Sequence, residues 1–160
     1  MATAQSAPLN GLWTALINEN FATMADVHRI LGTLPPGVDL MATADGREKT
    51  VPASRARLAR MLGTDAANAD SKSWDLLARW FAEAQIRSIV DAVMLVRSSC
   101  LATSAAPVIA AGIGVGIVAE VSRRLGVSLE RFDELLEVIP EARDVVSHCA
   151  PAAALTALAS

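Results

Sequence analysis

The sequence predicts a mainly helical α/β fold with a small sheet. Three observations lead there. Apolar residues make up 52% of the 160 residues while aromatics supply only 4%, and alanine, the best helix former, provides much of the difference. Apolar residues recur at helical spacing in several segments. One short apolar run, Pro107-Val108-Ile109-Ala110-Ala111, is bounded by proline and by Gly112, and so reads as a buried strand.

Taken in order, residues 1–10 read as a small polar, flexible tail, and 11–160 as one domain large enough to bury a core. Residues 12–17 are an apolar run suited to a strand or an edge segment. Thr23 stands three residues before Asp26, a capping-box pair, and Met24, Val27 and Leu31 then share one helical face. Gly32 can stop that helix, and Leu34-Pro35-Pro36-Gly37 forces a turn. Residues 37–50 read as a polar loop. A second helix starts near Pro52, carries Leu58, Met61 and Leu62, and ends at Gly63. After a polar connection over 64–72, a long helix is expected over 73–100, with Trp74, Leu77, Phe81, Ala84, Ser88, Val90 and Val93 in period. Trp80 and Ile86 fall off that stripe, which predicts cover on more than one side. Beyond the strand at 107–111, a helix is predicted over 115–125, closed by Gly126 and with Arg123 and Arg124 in its last turn. A second short strand is expected at 127–129, short helices at 132–138 and 141–147, and an Ala-rich helix opened by Pro151.

Net charge is −3 and the basic residues are spread among acids, which gives no case for nucleic acid. Cys100 and Cys149 form no paired motif, so a reducing, cytoplasmic setting is expected rather than a disulfide scaffold. Residues 1–10 lack the basic and apolar regions of a signal peptide. The two histidines and two cysteines lack metal-ligand spacing. Ser98, Ser99 and Ser104 sit in no nucleophile elbow. His148 and Cys149 are neighbours whose side chains would point apart on a helix, so Cys149 is expected as a core cysteine.

Four segments carry possible chemistry, each with a plainer reading beside it. Gly112-Ile113-Gly114, between a strand and a helix, can present unpaired amides to a phosphate. It lacks the third glycine of the dinucleotide fingerprint and the lysine of a P-loop, and a tight turn accounts for it equally. Residues 98–119 carry no charge, and Gly112 and Gly116 have GxxxG spacing, which raises a membrane span at 102–119. Pro107 in its middle and the scarcity of leucine favour a buried strand, turn and helix instead. Asp26 can act as a base or orient a substrate, or it can simply cap its helix and pair with Arg29. Arg47, Lys49, Arg55, Arg57 and Arg60 can hold a phosphate, or form a solvated face partly neutralised by Asp45 and Glu48.

Five blocks in order resemble proteins of the hydantoinase/oxoprolinase-like family, in particular those linked to tetrahydromethanopterin one-carbon transfer. The first is Phe21-Ala22-Thr23-Met24-Ala25-Asp26-Val27-His28-Arg29-Ile30-Leu31-Gly32. The second joins Ala44-Asp45-Gly46-Arg47 and Lys49 to Ser54, Arg57-Leu58-Ala59-Arg60-Met61-Leu62-Gly63. The others are Ala82-Glu83-Ala84-Gln85 with Ile89 and Asp91-Ala92, then Ala106 through Gly114, and Cys149-Ala150-Pro151-Ala152. Ala110 stands where the family tends to carry another glycine, and Val115-Gly116 replaces bulkier or charged residues.

The resemblance implies the second, C-terminal lobe of a sugar-kinase/actin-like fold. It implies one wall of a cleft for a nucleotide or phosphorylated small molecule, in a branch that assembles methanofuran-type cofactors by forming an ether with loss of pyrophosphate. By match, Gly112 and Gly114 would contact phosphate, Asp26 would be catalytic, and Thr23, Asp45 and Lys49 would line the substrate cleft. ATP or magnesium would be compatible cofactors, not fixed by the match. The family's first phosphate loop, an Asp with a Gly-Gly-Thr cluster, has no counterpart in this sequence. A separate N-terminal-lobe subunit, or a homo-oligomer, is therefore the expected partner, and the surface facing it is expected to be apolar.

Overall fold

A computed structural model of the chain describes residues 6–99 and 106–159. The fold is α/β and mostly helical, with two small two-stranded sheets. The chain divides into two compact units, Met1–Gln85 and Ile86–Ser160. Each is described by itself.

The first unit opens with a hairpin. β1 (Ser6–Leu9) pairs antiparallel with β2 (Leu12–Ala15), matching Ser6 to Ala15 and Leu9 to Leu12. Ser6–Leu9 was expected to belong to the tail. The overlooked signal is Asn10-Gly11: both take positive φ, 49° and 79°, as a two-residue type I′ turn requires. α1 (Met24–Ile30) packs against α2 (Val51–Met61), joined by the irregular loop over 37–50. A 3₁₀ turn (Ala66–Asn68) leads into α3 (Ser71–Ser99), whose first half, to Gln85, lies in this unit. The core gathers Val27 and Ile30 from α1, Leu58 and Met61 from α2, and Trp74, Leu77 and Phe81 from α3. Trp74 is fully buried, and its indole N–H donates to the carbonyls of Ala66 and Ala69 at 2.9 and 3.1 Å. That need for an acceptor explains why the connection before α3 is wound into a turn. Trp80, off the main stripe, packs edge-on against Trp13 and Phe81, as expected for a helix covered on more than one side. The predicted stripe beyond Phe81, through Ala84, Val90 and Val93, is only half-buried, and Met94, Leu95 and Val96 are exposed.

The second unit is a β-α-β arrangement followed by short helices. β3 (Val108–Ala110) runs through a 3₁₀ turn (Gly112–Gly114) into α4 (Val115–Leu125). The chain then returns as β4 (Leu129–Arg131), parallel to β3. A parallel pair needs a crossover of this kind, and α4 supplies it. β4 begins two residues later than expected. Gly126 and Val127 are used to close α4, and the Ser122 hydroxyl donates to the Val127 carbonyl at 2.7 Å. Of the helix expected at 132–138, only a 3₁₀ turn (Phe132–Glu134) forms. A further turn (Pro140–Ala142) leads to α5 (Arg143–His148), and α6 (Ala150–Ala159) ends the described chain. Cys149, expected in the core, is exposed, because it lies in the break between α5 and α6 rather than on a packed face. Cys100 lies outside the described residues, as do residues 101–105 of the charge-free run. The described remainder of that run forms the end of α3, β3, the glycine turn and the start of α4. Among the described residues no helix is long and apolar enough to cross a membrane.

α1, α2 and α4 all end in the same way. The amides of Thr33, Thr64 and Val127 reach back five residues to His28, Ala59 and Ser122. Those of Gly32, Gly63 and Gly126 reach back three. This double closure needs a left-handed residue at the penultimate position, and each is glycine with φ between 64° and 67°.

All three tryptophans lie within Met1–Gln85, so their fluorescence reports the first unit alone. Gly11→Ala forces a Cβ into the left-handed region and is expected to cost the first unit about 1–2 kcal/mol. Urea unfolding followed by tryptophan emission measures it. An unchanged midpoint would contradict the hairpin turn.

Candidate functional site

Four of the six expected site residues come together in the first unit, around an arginine. Thr23 begins α1 in extended conformation, and its amide donates to Asp26 Oδ2 at 3.0 Å. This is the capping contact that the Thr23/Asp26 spacing predicts. The other carboxylate oxygen is more heavily used. Asp26 Oδ1 accepts from Arg57 Nε at 2.9 Å and Nη2 at 2.6 Å, from Ser54 Oγ at 2.8 Å, and from Arg29 Nη1 at 3.3 Å. Asp26 is 3% exposed and Arg57 is 0% exposed. The guanidinium is planar and cannot lose its charge, so it serves two carboxylates at once. Arg57 Nη1 donates to Asp45 Oδ1 at 3.1 Å and to the Glu48 carbonyl at 3.4 Å. Asp45, in the 37–50 loop, is thereby fastened to α2.

Lys49 enters through a second carboxylate. Its Nζ donates to the Asp39 carbonyl at 2.6 Å and lies 3.6 Å from Asp39 Oδ1, while Asp39 Oδ2 accepts from Arg29 Nη2. The chain of contacts therefore runs Lys49, Asp39, Arg29, Asp26, Arg57, Asp45. Sequence reasoning placed Arg57 in a basic run, named Ser54 only within a family block, and did not single out Asp39. Their partners are distant in sequence, 28 residues for Ser54 to Asp26 and 31 for Arg57, and no local pattern announces such a pairing.

The basic run is neutralised where it stands. Lys49 faces Asp39, Arg55 faces Asp75 at 2.9 Å, Arg57 holds Asp26 and Asp45, and Arg60 lies 3.6 Å from Asp45. Arg47, largely exposed, is 4.0 Å from Asp45. Exposed pairs of this length contribute little, and only the Arg57 pairs are fully desolvated.

Burial alone would raise the Asp26 pKa. The hydrogen bonds from Arg57, the Thr23 amide and Ser54, with the Arg57 charge, outweigh burial and hold it below the ordinary carboxylate value. Asp45 is also held low: burial opposes this, but the Arg47 amide and the Arg57 and Arg60 guanidiniums prevail. A carboxylate kept anionic with both oxygens engaged is a weak base, and the contacts of Asp26 are those of a cap and an anchor. The same occupancy leaves Asp26 ill-suited to a magnesium ion, which needs free carboxylate oxygens. Among the described residues no group of His, Cys, Asp or Glu side chains is placed to hold a metal.

Gly112 and Gly114 lie in the second unit. Gly112 has φ 79°, and Gly114 precedes α4 with φ −89° and ψ 10°. The start of α4 has no side-chain cap. A Cβ added at Gly112, Gly114 or Gly116 would meet nothing within 4 Å. Gly112 is explained by its backbone. Gly114 is required neither by its φ nor by packing. At the other end of α4, Glu120 forks between Arg123 and Arg124, whose hydrogen bonds lower its pKa to about 2.

No protein-family model matches the chain, and the curated proteins contain no significant match to it.

Asp26→Asn leaves Arg57 buried without its main counter-charge and is expected to destabilise the first unit by about 3–5 kcal/mol. Tryptophan-monitored urea unfolding reads this directly. The pH dependence has a definite sign. Folded pKa values depressed below 3.8 give stability that is complete above that pH. It is lost as pH falls below 3.8 and through the depressed values. An acid titration of tryptophan emission should show the loss, and Asp26→Asn should reduce its steepness.

Proposed function

We propose that this chain forms one wall of a phosphate-binding cleft, as the C-terminal lobe or subunit of a hydantoinase/oxoprolinase-like enzyme in methanofuran-type cofactor assembly. The observation that carries the reading is the turn at Gly112–Gly114. It follows a parallel strand, opens an uncapped helix, and holds in Gly114 a glycine that neither backbone nor packing demands. Close approach of an anion to backbone amides accounts for such a residue. The five ordered sequence blocks support the same reading.

In the reaction that this branch implies, a phenol oxygen bonds to a furan-methyl carbon. The carbon–oxygen bond to diphosphate breaks, and the phenol gives up its proton. The departing pyrophosphate is the charge to be stabilised, and amides at the glycine turn are suited to that task. Asp26, Asp45 and Lys49 order the 37–50 loop against α1 and α2, and no proton transfer is assigned to Asp26. No residue is assigned to ATP. The opposite wall of the cleft, with the first phosphate loop, is not supplied by residues 1–160. The exposed apolar side chains Met94, Leu95, Val96, Ile109 and Ile113 are consistent with a surface meant to be covered.

Gly114→Ala fits its φ and meets open space, so the fold should tolerate it. It is expected to weaken inorganic pyrophosphate binding about ten-fold, measured by titration calorimetry, with circular dichroism unchanged. A wild-type chain that binds no pyrophosphate, alone or with a co-expressed phosphate-loop lobe, would remove this reading.

A further inference from the structure

β3 and β4 are parallel, and their last residues, Ala110 and Arg131, lie side by side. From that edge each strand passes almost at once into a short turn, Gly112–Gly114 from β3 and Phe132–Glu134 from β4. Ligands of parallel sheets sit beyond the carboxyl ends of the strands, where such turns gather. α5 packs against both turns. Ser147 is the buried position among the described side chains of α5, with 2% of its surface exposed, so it faces the packed side of that helix.

The Ser147 hydroxyl is buried and has no hydrogen-bond partner among the described residues. This is unusual, because a helical serine ordinarily satisfies itself on the carbonyl four residues back, and an unpaired buried hydroxyl is destabilising. The other buried polar groups of this unit are satisfied. Ser122 donates to Val127, and Asp133 is held by Arg131 Nε and Nη2 at 3.1 and 3.2 Å. Asp133 is paired with its arginine, which also lies 3.9 Å from Glu134 Oε1 in the same turn.

We infer that Ser147 donates its hydroxyl to a phosphate group seated on the Gly112–Gly114 turn. The site then consists of backbone amides from the turn and the start of α4 with one side-chain donor from α5. The inference rests on the phosphate reading of that turn and adds a binding residue to it.

The test is titration calorimetry of the full chain with inorganic pyrophosphate, comparing wild type, Ser147→Ala and Gly114→Ala. Thermal unfolding of the ligand-free proteins by circular dichroism accompanies it. Ser147→Ala is expected to bind about ten-fold more weakly, the loss of one hydrogen bond to a charged group. Its ligand-free midpoint should be unchanged or higher, because an unpaired hydroxyl has been removed. If Ser147→Ala binds like wild type while Gly114→Ala is impaired, the role of Ser147 is overturned and the phosphate reading survives. A lower ligand-free midpoint with unchanged affinity would make the hydroxyl structural and equally overturn it. If wild type fails to bind, the phosphate reading falls and Ser147 falls with it.

Discussion

The pairing of Asp26 with Arg57 is the constraint on which the first unit depends. A guanidinium with no exposed surface lies between two helices and a loop, and every neighbour must supply it an acceptor. Asp26 does so from the start of α1, and Asp45 and the Glu48 carbonyl do so from the 37–50 loop. A buried ion pair of this kind adds little net stability over an apolar pair of the same size, but half of it alone is costly. Its consequence is registration. α1 can slide or rotate on α2 only by stranding a charge, whereas the surrounding aliphatic contacts would tolerate small shifts. The capping contact of Thr23 and the Arg29–Asp39–Lys49 branch extend the same constraint to the beginning of α1 and the far end of the loop.

Among its described residues the second unit shows no such hub. Its buried apolar residues are Ala110, Val121 and Ala150 among those described, small side chains that remove little area from water. Its order comes from backbone geometry: a parallel strand pair, a crossover helix closed by Gly126, and turns at the strand ends. Regions with few buried apolar contacts open at lower free energy than a packed core. The unit with the glycine turn is thus the softer half, while the half with the charged network is the better fixed. Residues grouped by the family resemblance as one site thus occupy two mechanically unlike settings.

Local chemistry was legible in the sequence, and long-range pairing was not. The stops at Gly32, Gly63 and Gly126, the Thr23 cap, and the bounds of α4 all depend on residues within one or two turns. Glycine, threonine and proline encode these directly. The displacement of β4 shows the limit of such reading: a closing motif and the Ser122 hydroxyl consumed two residues that look strand-like by composition. The roles of Arg57, Ser54 and Asp39 depend on partners brought close only by folding. In sequence, Arg57 is indistinguishable from Arg55 or Arg60, one half-buried and paired to Asp75, the other at the rim of Asp45. The basic run could therefore be read as an anion site or as a solvated face partly neutralised by acids, and the fold instead ties it into a network of ion pairs. The resemblance carried by the five blocks is of another kind, since it concerns ancestry rather than physics.

The hairpin turn has a chemical lifetime as well as a shape. In Asn10-Gly11 the glycine offers no side chain to hinder its amide nitrogen from attacking the asparagine carboxamide. Ammonia leaves as the ring closes, and water opens the ring mostly to an isoaspartyl link. That product carries a new negative charge and one extra backbone carbon. A two-residue turn that pairs Leu9 with Leu12 has no room for the added atom, so ageing of this single bond would loosen the register that sets Trp13 against Trp80.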